Sequence, residues 1–201
     1  MKKTLAESVI RFGKYNDFDK EHAEQVAEIS LLLFDKLQPL HRMGNTERLW
    51  LHTAALMHDI AKQVDRENHH KLARDAIIEC DFLPFRKKVR KMMGLIARYH
   101  RKDLPSDTHK HYKNLDKDSR RYVNKLAAIL RIADGLSCYS LESIDNIKCS
   151  INDDHVIAHI KCTGYPDTYK AIRKALLFEQ AFDKKFTIRL KTSGRTKAGI
   201  R

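Results

Sequence analysis

From about residue 18 to about residue 140, apolar side chains return every three or four positions, the period of helices that bury one face. Only seven glycines and four prolines interrupt the whole chain, so little else competes with a mainly α architecture. Asp17 or Asp19 can cap a first helix that runs to about Lys36. Asn45 or Thr46 can cap a second, to about Lys62, and further helices are expected near 68–80, 84–100 and 118–134, with a polar loop at 103–117. At Ile147 the period changes to two. IKCSI and VIAHIKC alternate around Asn152-Asp153-Asp154, a hairpin signal. A helix over about 167–184 and a strand FTIRLK follow. The expected organisation is a helical unit over 1–144, a small β-β-α-β appendage over 145–191, and a mobile basic tail over 192–201.

Composition sets the surroundings. A chain of 201 residues suits one principal core. No apolar run approaches the roughly 20 residues that span a bilayer, and no signal-peptide core follows the N-terminal lysines, so a cytoplasmic protein without membrane insertion is expected. Cys80, Cys138, Cys149 and Cys162 lack C-x-x-C spacing and read as reduced thiols packed as small hydrophobes. The net charge of +13 favours anionic partners without naming them. The basic runs are RKKVRK at 86–91, RYHRK at 98–102, SRR at 119–121 and the C-terminal tail.

The polar residues that interrupt the apolar stripes carry the chemistry. Leu33, Ile29 and Val26 lead back to His22; Leu51 and Ala55 lead to His58, with Asp59 beside it. His70 opens the stripe of Ala73 and Ile77. Val89, Met93 and Ile96 end on His100, and Val123, Ala127 and Leu130 end on Asp134. Five helices thus place a His or Asp at one end of a core-facing stripe, and those ends can meet in a pocket. A buried carboxylate without a partner costs several kcal/mol. A divalent cation supplies the missing charge, and imidazole with carboxylate suits Mn²⁺, Fe²⁺, Co²⁺, Ni²⁺ or Mg²⁺. Adjacent helical residues point about 100° apart, so His58 and Asp59 can approach one ion from two directions.

His22, the doublet His58–Asp59 and Asp134, with Lys62 in HDIAK, resemble the HD-domain metal-dependent phosphohydrolases. HAEQVAEISLLLFDKL, HHKLARDAIIECDF, ARYHRK, LAAILRIADGLS and FEQAF at 178–182 are similar to the C-terminal domain of exopolyphosphatase/guanosine pentaphosphate phosphatase (Ppx/GppA) proteins. The resemblance covers nearly the whole chain. It implies an HD-type helical bundle with one divalent metal held by His22, His58, Asp59 and Asp134. The actin-like domains that precede this region in the family are not in the sequence, so the domain is expected to stand alone and their activity is not carried over.

The implied chemistry is hydrolysis of a nucleotide or another small phosphate ester or anhydride by a metal-activated water, with Asp59 and Lys62 as catalytic residues. His70 and His100 are candidates for a second metal or for phosphate contacts, and Arg101 and Lys102 for phosphate binding. His69 falls off the stripe and ranks as outer shell at most. His109, His111, His155 and His159 read as surface residues. The alternative class is a non-catalytic basic module that binds nucleic acid, polyphosphate or a protein partner. The absence of basic segments interleaved with aromatic residues, Tyr99 apart, weighs against a dedicated nucleic-acid reader.

Overall fold

The computed structural model describes residues 19–137, 144–163 and 168–193. Its elements run α1 (Lys20–Lys36), α2 (Gln38–His41), α3 (Asn45–Met57), α4 (His69–Glu79), α5 (Lys87–Arg98), α6 (Lys117–Leu136), β1 (Ile144–Ile151), β2 (His155–Thr163), α7 (Tyr169–Arg173), α8 (Leu176–Phe182) and β3 (Lys185–Ser193). The protein is mainly α with a small C-terminal sheet.

Local chemistry explains where the helices begin. Asp19 accepts from the His22 amide at the start of α1, and Asp116 accepts from the Ser119 amide at the start of α6. Gly44, not Asn45, precedes α3, and the Glu47 carboxylate reaches back to the Gly44 amide at 2.9 Å. Helix α6 is the spine. Helices α1, α3, α5, α7 and α8 all pack on it, and Val123, Leu126, Ala127, Leu130 and Ala133 are fully buried along it. Each large apolar side chain so buried contributes about 1.5–3 kcal/mol.

Helices α3 and α5 stop sooner than the apolar pattern suggests, at Met57 and Arg98. Residues 58–64 continue as turns, in which the Lys62 amide donates to the Asp59 carbonyl. The helix expected near 167–184 is broken: α7 ends at Arg173, α8 begins at Leu176, and Asp183 closes it in a left-handed conformation (φ 52°).

The sheet has the order β1-β2-β3. The hairpin pairs Ile151 with Val156, and the Asn152 side chain accepts from the amides of Asp154 and His155. Strand β3 runs parallel to β2, which requires a crossover, and α7 with α8 provides it. Ile147, Val156, Ala158, Ile160 and Phe186 face inward and are buried; Phe178, also buried, stacks on Phe182 and lies against Phe186. β3 extends to Ser193, and the rest of the segment read as a tail lies outside the described residues, as does Cys138. Cys80 and Cys149 are free thiols.

Candidate metal centre

The ends of α1, α3, α4, α5 and α6 meet at one cleft. His22 stands in the first turn of α1, positioned by the Asp19 cap. His58 caps α3, and Asp59 follows it. His100 lies just past α5, and Asp134 sits in the last turn of the 20-residue α6. A carboxylate there opposes the negative end of the helix dipole, so its placement needs compensation from elsewhere.

Three imidazoles share one device. The Nδ1–H of His58 donates to the Ala55 carbonyl at 2.6 Å, that of His69 to Arg66 at 2.9 Å, and that of His100 to Ala97 at 2.7 Å. Each bond reaches back three residues to a carbonyl. A carbonyl only accepts, so each Nδ1 carries a proton, and Nε2 is the ring nitrogen left to face the cleft. A hydrogen bond from the ring's other nitrogen orients a metal-binding histidine in this way.

The Nε2 atoms converge on two carboxylates. His22 Nε2 lies 3.5 Å from Asp59 Oδ2 and 3.6 Å from Asp134 Oδ1; His58 Nε2 lies 3.6 Å from Asp59 Oδ1 and 3.7 Å from Asp134 Oδ1. These separations exceed hydrogen-bond length. They suit atoms that surround one ion at about 2.0–2.2 Å each. Both Nε2 atoms are buried and without a hydrogen-bond partner, an arrangement that costs roughly 1–3 kcal/mol per atom unless something is bound. On the other side of Asp59, His69 Nε2 stands 3.0 Å and His100 Nε2 3.5 Å from Oδ1, with the two ring nitrogens 3.4 Å apart. Two donor groups that could hold a metal ion result, His22–His58–Asp59 and Asp59–His69–His100, with Asp59 common to both.

The second group uses His69 where the helical stripe pointed to His70. Both are buried, but His69 opens α4 and turns its ring toward Asp59. His70 presents two nitrogens without hydrogen-bond partners, and burial, with the charges of His69 and Arg101 behind it, pushes its basicity down to about 4. A stripe extended into a first helical turn does not fix which of two adjacent side chains faces the neighbour.

Lysines complete the charge balance. Lys62 Nζ binds Asp59 Oδ2 at 2.6 Å, and Lys174, from the segment joining α7 to α8, binds Asp134 Oδ2. Burial raises the pKa of both carboxyls, but other groups outweigh it: His58, His69, His100 and Lys62 around Asp59, and His22, His58 and Lys174 around Asp134. Both carboxyls are held well below the ordinary range. Burial likewise opposes protonation of His58, yet Asp59 and Asp134 leave its pKa raised, whereas burial and nearby His58 lower that of His100.

The cleft has a volume of about 430 Å³ and is lined by His22, Asp59, Lys62, His69, His100, Arg101, Asp134, Ser137, Lys170 and Lys174. Arg101 is held by the Arg66 carbonyl at 3.1 Å. Lys102, paired with Glu67, is not among the lining residues. Sequence reasoning missed Lys170 and Lys174. They lie more than thirty residues beyond Asp134, in a segment whose packing against α6 no local pattern reveals.

Comparison with known families follows the same outline. The Ppx/GppA phosphatase, domain III, matches residues 6–180. The chain belongs to that family. No curated protein matches it. The HD-type arrangement of histidines and aspartates is consistent with domain III, and among the described residues no helix is long and apolar enough to cross a membrane.

Proposed function

We propose that this domain III protein is a metal-dependent phosphohydrolase acting on a nucleotide or another small phosphate ester or anhydride. The observation that carries the reading is the shared anchoring of His58, His69 and His100 through Nδ1, which aims their Nε2 atoms at Asp59. His22, His58, Asp59 and Asp134 would hold one divalent cation, and Asp59, His69 and His100 a second. When bound, such a cation lowers the pKa of a water toward neutrality and polarises a phosphoryl oxygen.

The residues around it do the remaining work. Asp59 stays ionised and is fixed on one side by Lys62, so its carboxylate can accept from and orient the attacking water. Lys62, Arg101, Lys170 and Lys174 line the same cleft and can neutralise charge on the phosphoryl group as the leaving group departs. His70 supports the ring of His69 rather than touching substrate. Free thiols at Cys80 and Cys149 agree with action in the cytoplasm.

The test is elemental analysis of protein expressed with Mn²⁺, Fe²⁺, Co²⁺, Ni²⁺ or Mg²⁺, joined to a phosphate-release screen over nucleotides, cyclic nucleotides, polyphosphate and phosphomonoesters. One or two equivalents of metal and metal-stimulated release are expected. Metal-free protein that is silent with every ion overturns the reading.

A further inference from the structure

Several cations of the basic runs find acids in the fold. In 86–91, Lys87 pairs with Glu79, Lys88 with Asp116 and Arg90 with Asp81. In 98–102, Arg98 pairs with Asp103 and Lys102 with Glu67. A pocket between the α2–α3 turn and the first half of α6 is balanced differently. It has a volume of about 330 Å³; its charged side chains are Arg42, Glu47, Arg121 and Lys125, and Leu40, Met43 and Tyr122 supply apolar surface.

Three cations there share one carboxylate. Glu47 accepts from the Gly44 amide at 2.9 Å. Arg121 meets Asp118 at 3.4 Å, but both side chains are largely exposed and water screens the pair. Among the described residues neither Arg42 nor Lys125 meets a carboxylate at ion-pair distance. Lys125 follows Arg121 by four residues and so lies on the same face of α6. It is half-buried, and its ammonium stands 5.1 Å from the centre of the Phe182 ring, which carries no net charge. Burial, then Arg121, push its pKa down. Arg42 ends α2 in a left-handed conformation (φ 57°), so the turn that leads into α3 places a third cation on the rim. His41 also lines the pocket, but the Phe34 carbonyl and the Met43 amide occupy both of its ring nitrogens.

Like charges at this spacing on a helix repel, and a half-buried ammonium without a counter-charge is costly. An anion between the three cations removes both costs. Three cations against one carboxylate leave two positive charges in excess. A phosphomonoester carries about −1.5 to −2 at pH 7 and presents three strong acceptor oxygens, which matches both the excess and the number of cations, whereas a carboxylate ligand supplies half that charge. The volume is at the low end for small-molecule sites. It suits a phosphate with a short organic group against Leu40, Met43 and Tyr122.

We propose that this pocket binds a small phosphomonoester, with Arg42, Arg121 and Lys125 around its phosphate. The pocket shares no lining residue with the metal cleft. Lys125 stands nine residues before Asp134 on α6, a rise of roughly 13 Å. It is a second anion site, and the proposal does not rest on the catalytic reading.

Titration of the full, metal-free chain with ribose 5-phosphate, followed by calorimetry and by backbone amide NMR shifts, tests it. A dissociation constant of about 0.1–1 mM is expected, with shifts at Gly44, Tyr122 and Lys125 that saturate at the same constant and do not respond to ribose. Lys125→Met keeps the apolar stem and removes the ammonium. Binding should weaken at least about tenfold, while the melting temperature without ligand stays at or above that of wild type, because a half-buried charge has gone. Lys125→Arg should bind within about threefold of wild type. Arg42→Gly keeps the left-handed turn and should weaken binding at least about threefold, which keeps the test open if Lys125→Met disturbs the packing on Phe182. Lys174→Ala, in the metal cleft, should leave the constant read at Gly44, Tyr122 and Lys125 unchanged. Unchanged binding in both Lys125→Met and Arg42→Gly, loss of those shifts in Lys174→Ala, an equal response to ribose, or no shift at the three amides up to about 10 mM ribose 5-phosphate each overturns the proposal.

Discussion

The cleft and the outer sheet face treat charge in opposite ways. In the cleft, two carboxylates, four imidazoles and two lysines lie within a few ångströms, each polar atom facing a partner or a shared gap. On the sheet face, Lys148, Lys161, Arg189 and Lys191 stand exposed in two rows of the strand register. Burial explains the difference. A charge removed from water must be matched locally, whereas water tolerates cations spaced along a strand. The cleft therefore depends on individual side chains, and the sheet face on a summed field to which each residue contributes a fraction.

Asp59→Ala breaks the cleft side of that comparison most completely, because both donor groups share this carboxylate. Bound metal should fall to less than about a tenth of an equivalent, and any phosphate release should fall on the order of a hundredfold or more. Elemental analysis and initial rates check both. Retained metal together with full activity would remove the proposed centre.

The next effect separates adjacent histidines. His69→Ala should remove one metal equivalent, or weaken its binding at least tenfold, while His70→Ala should leave stoichiometry unchanged and lower thermal stability instead. The reverse outcome would return His70 to the site and His69 to the shell around it.

These two histidines also mark how far the sequence could be read. Helical periodicity located α1, α3, α4, α5 and α6, and the switch to period two located the hairpin, because both patterns record which face is buried. His22, His58, Asp59, His100 and Asp134 were legible for the same reason: each interrupts an apolar stripe at its end. His69 was not, since direction within a first turn depends on the neighbouring helix. Nor were Lys170 and Lys174, whose approach to Asp134 follows from tertiary packing. The rows Lys148–His159–Arg189 and Lys161–Lys191 were hidden because strand register joins residues that no run joins in sequence, while the conspicuous run at 86–91 proved to be paired.

Gly135→Ala tests the packing that brings those lysines in. An added Cβ would stand 2.5 Å from the Ala171 Cα and 2.8 Å from its nitrogen, and backbone cannot yield as a flexible side chain can. Forcing α7 away from α6 should cost about 1–3 kcal/mol, read as a lower melting temperature. It should weaken phosphate binding in the cleft through Lys170 and Lys174. A variant as stable as wild type would show that α7 is not locked to α6.

The smallest effect concerns a buried imidazole that uses neither metal nor carboxylate. His41 donates from Nε2 to the Phe34 carbonyl at 2.8 Å and accepts at Nδ1 from the Met43 amide at 2.9 Å. The neutral ring satisfies both, and burial lowers its pKa below the ordinary 6.5. The unfolded chain therefore takes up a proton near pH 6.5 that the folded chain resists. Stability from His41 is complete above that pH and is lost as pH falls through it toward the lowered folded value, at up to about 1.4 kcal/mol per pH unit. His41→Gln keeps one donor and one acceptor but does not titrate, so urea unfolding between pH 7.5 and 5 should show a slope shallower by up to one proton. Parallel slopes would mean that Met43 finds another acceptor when the ring is protonated, and that burial without a charged partner carries no penalty at this position.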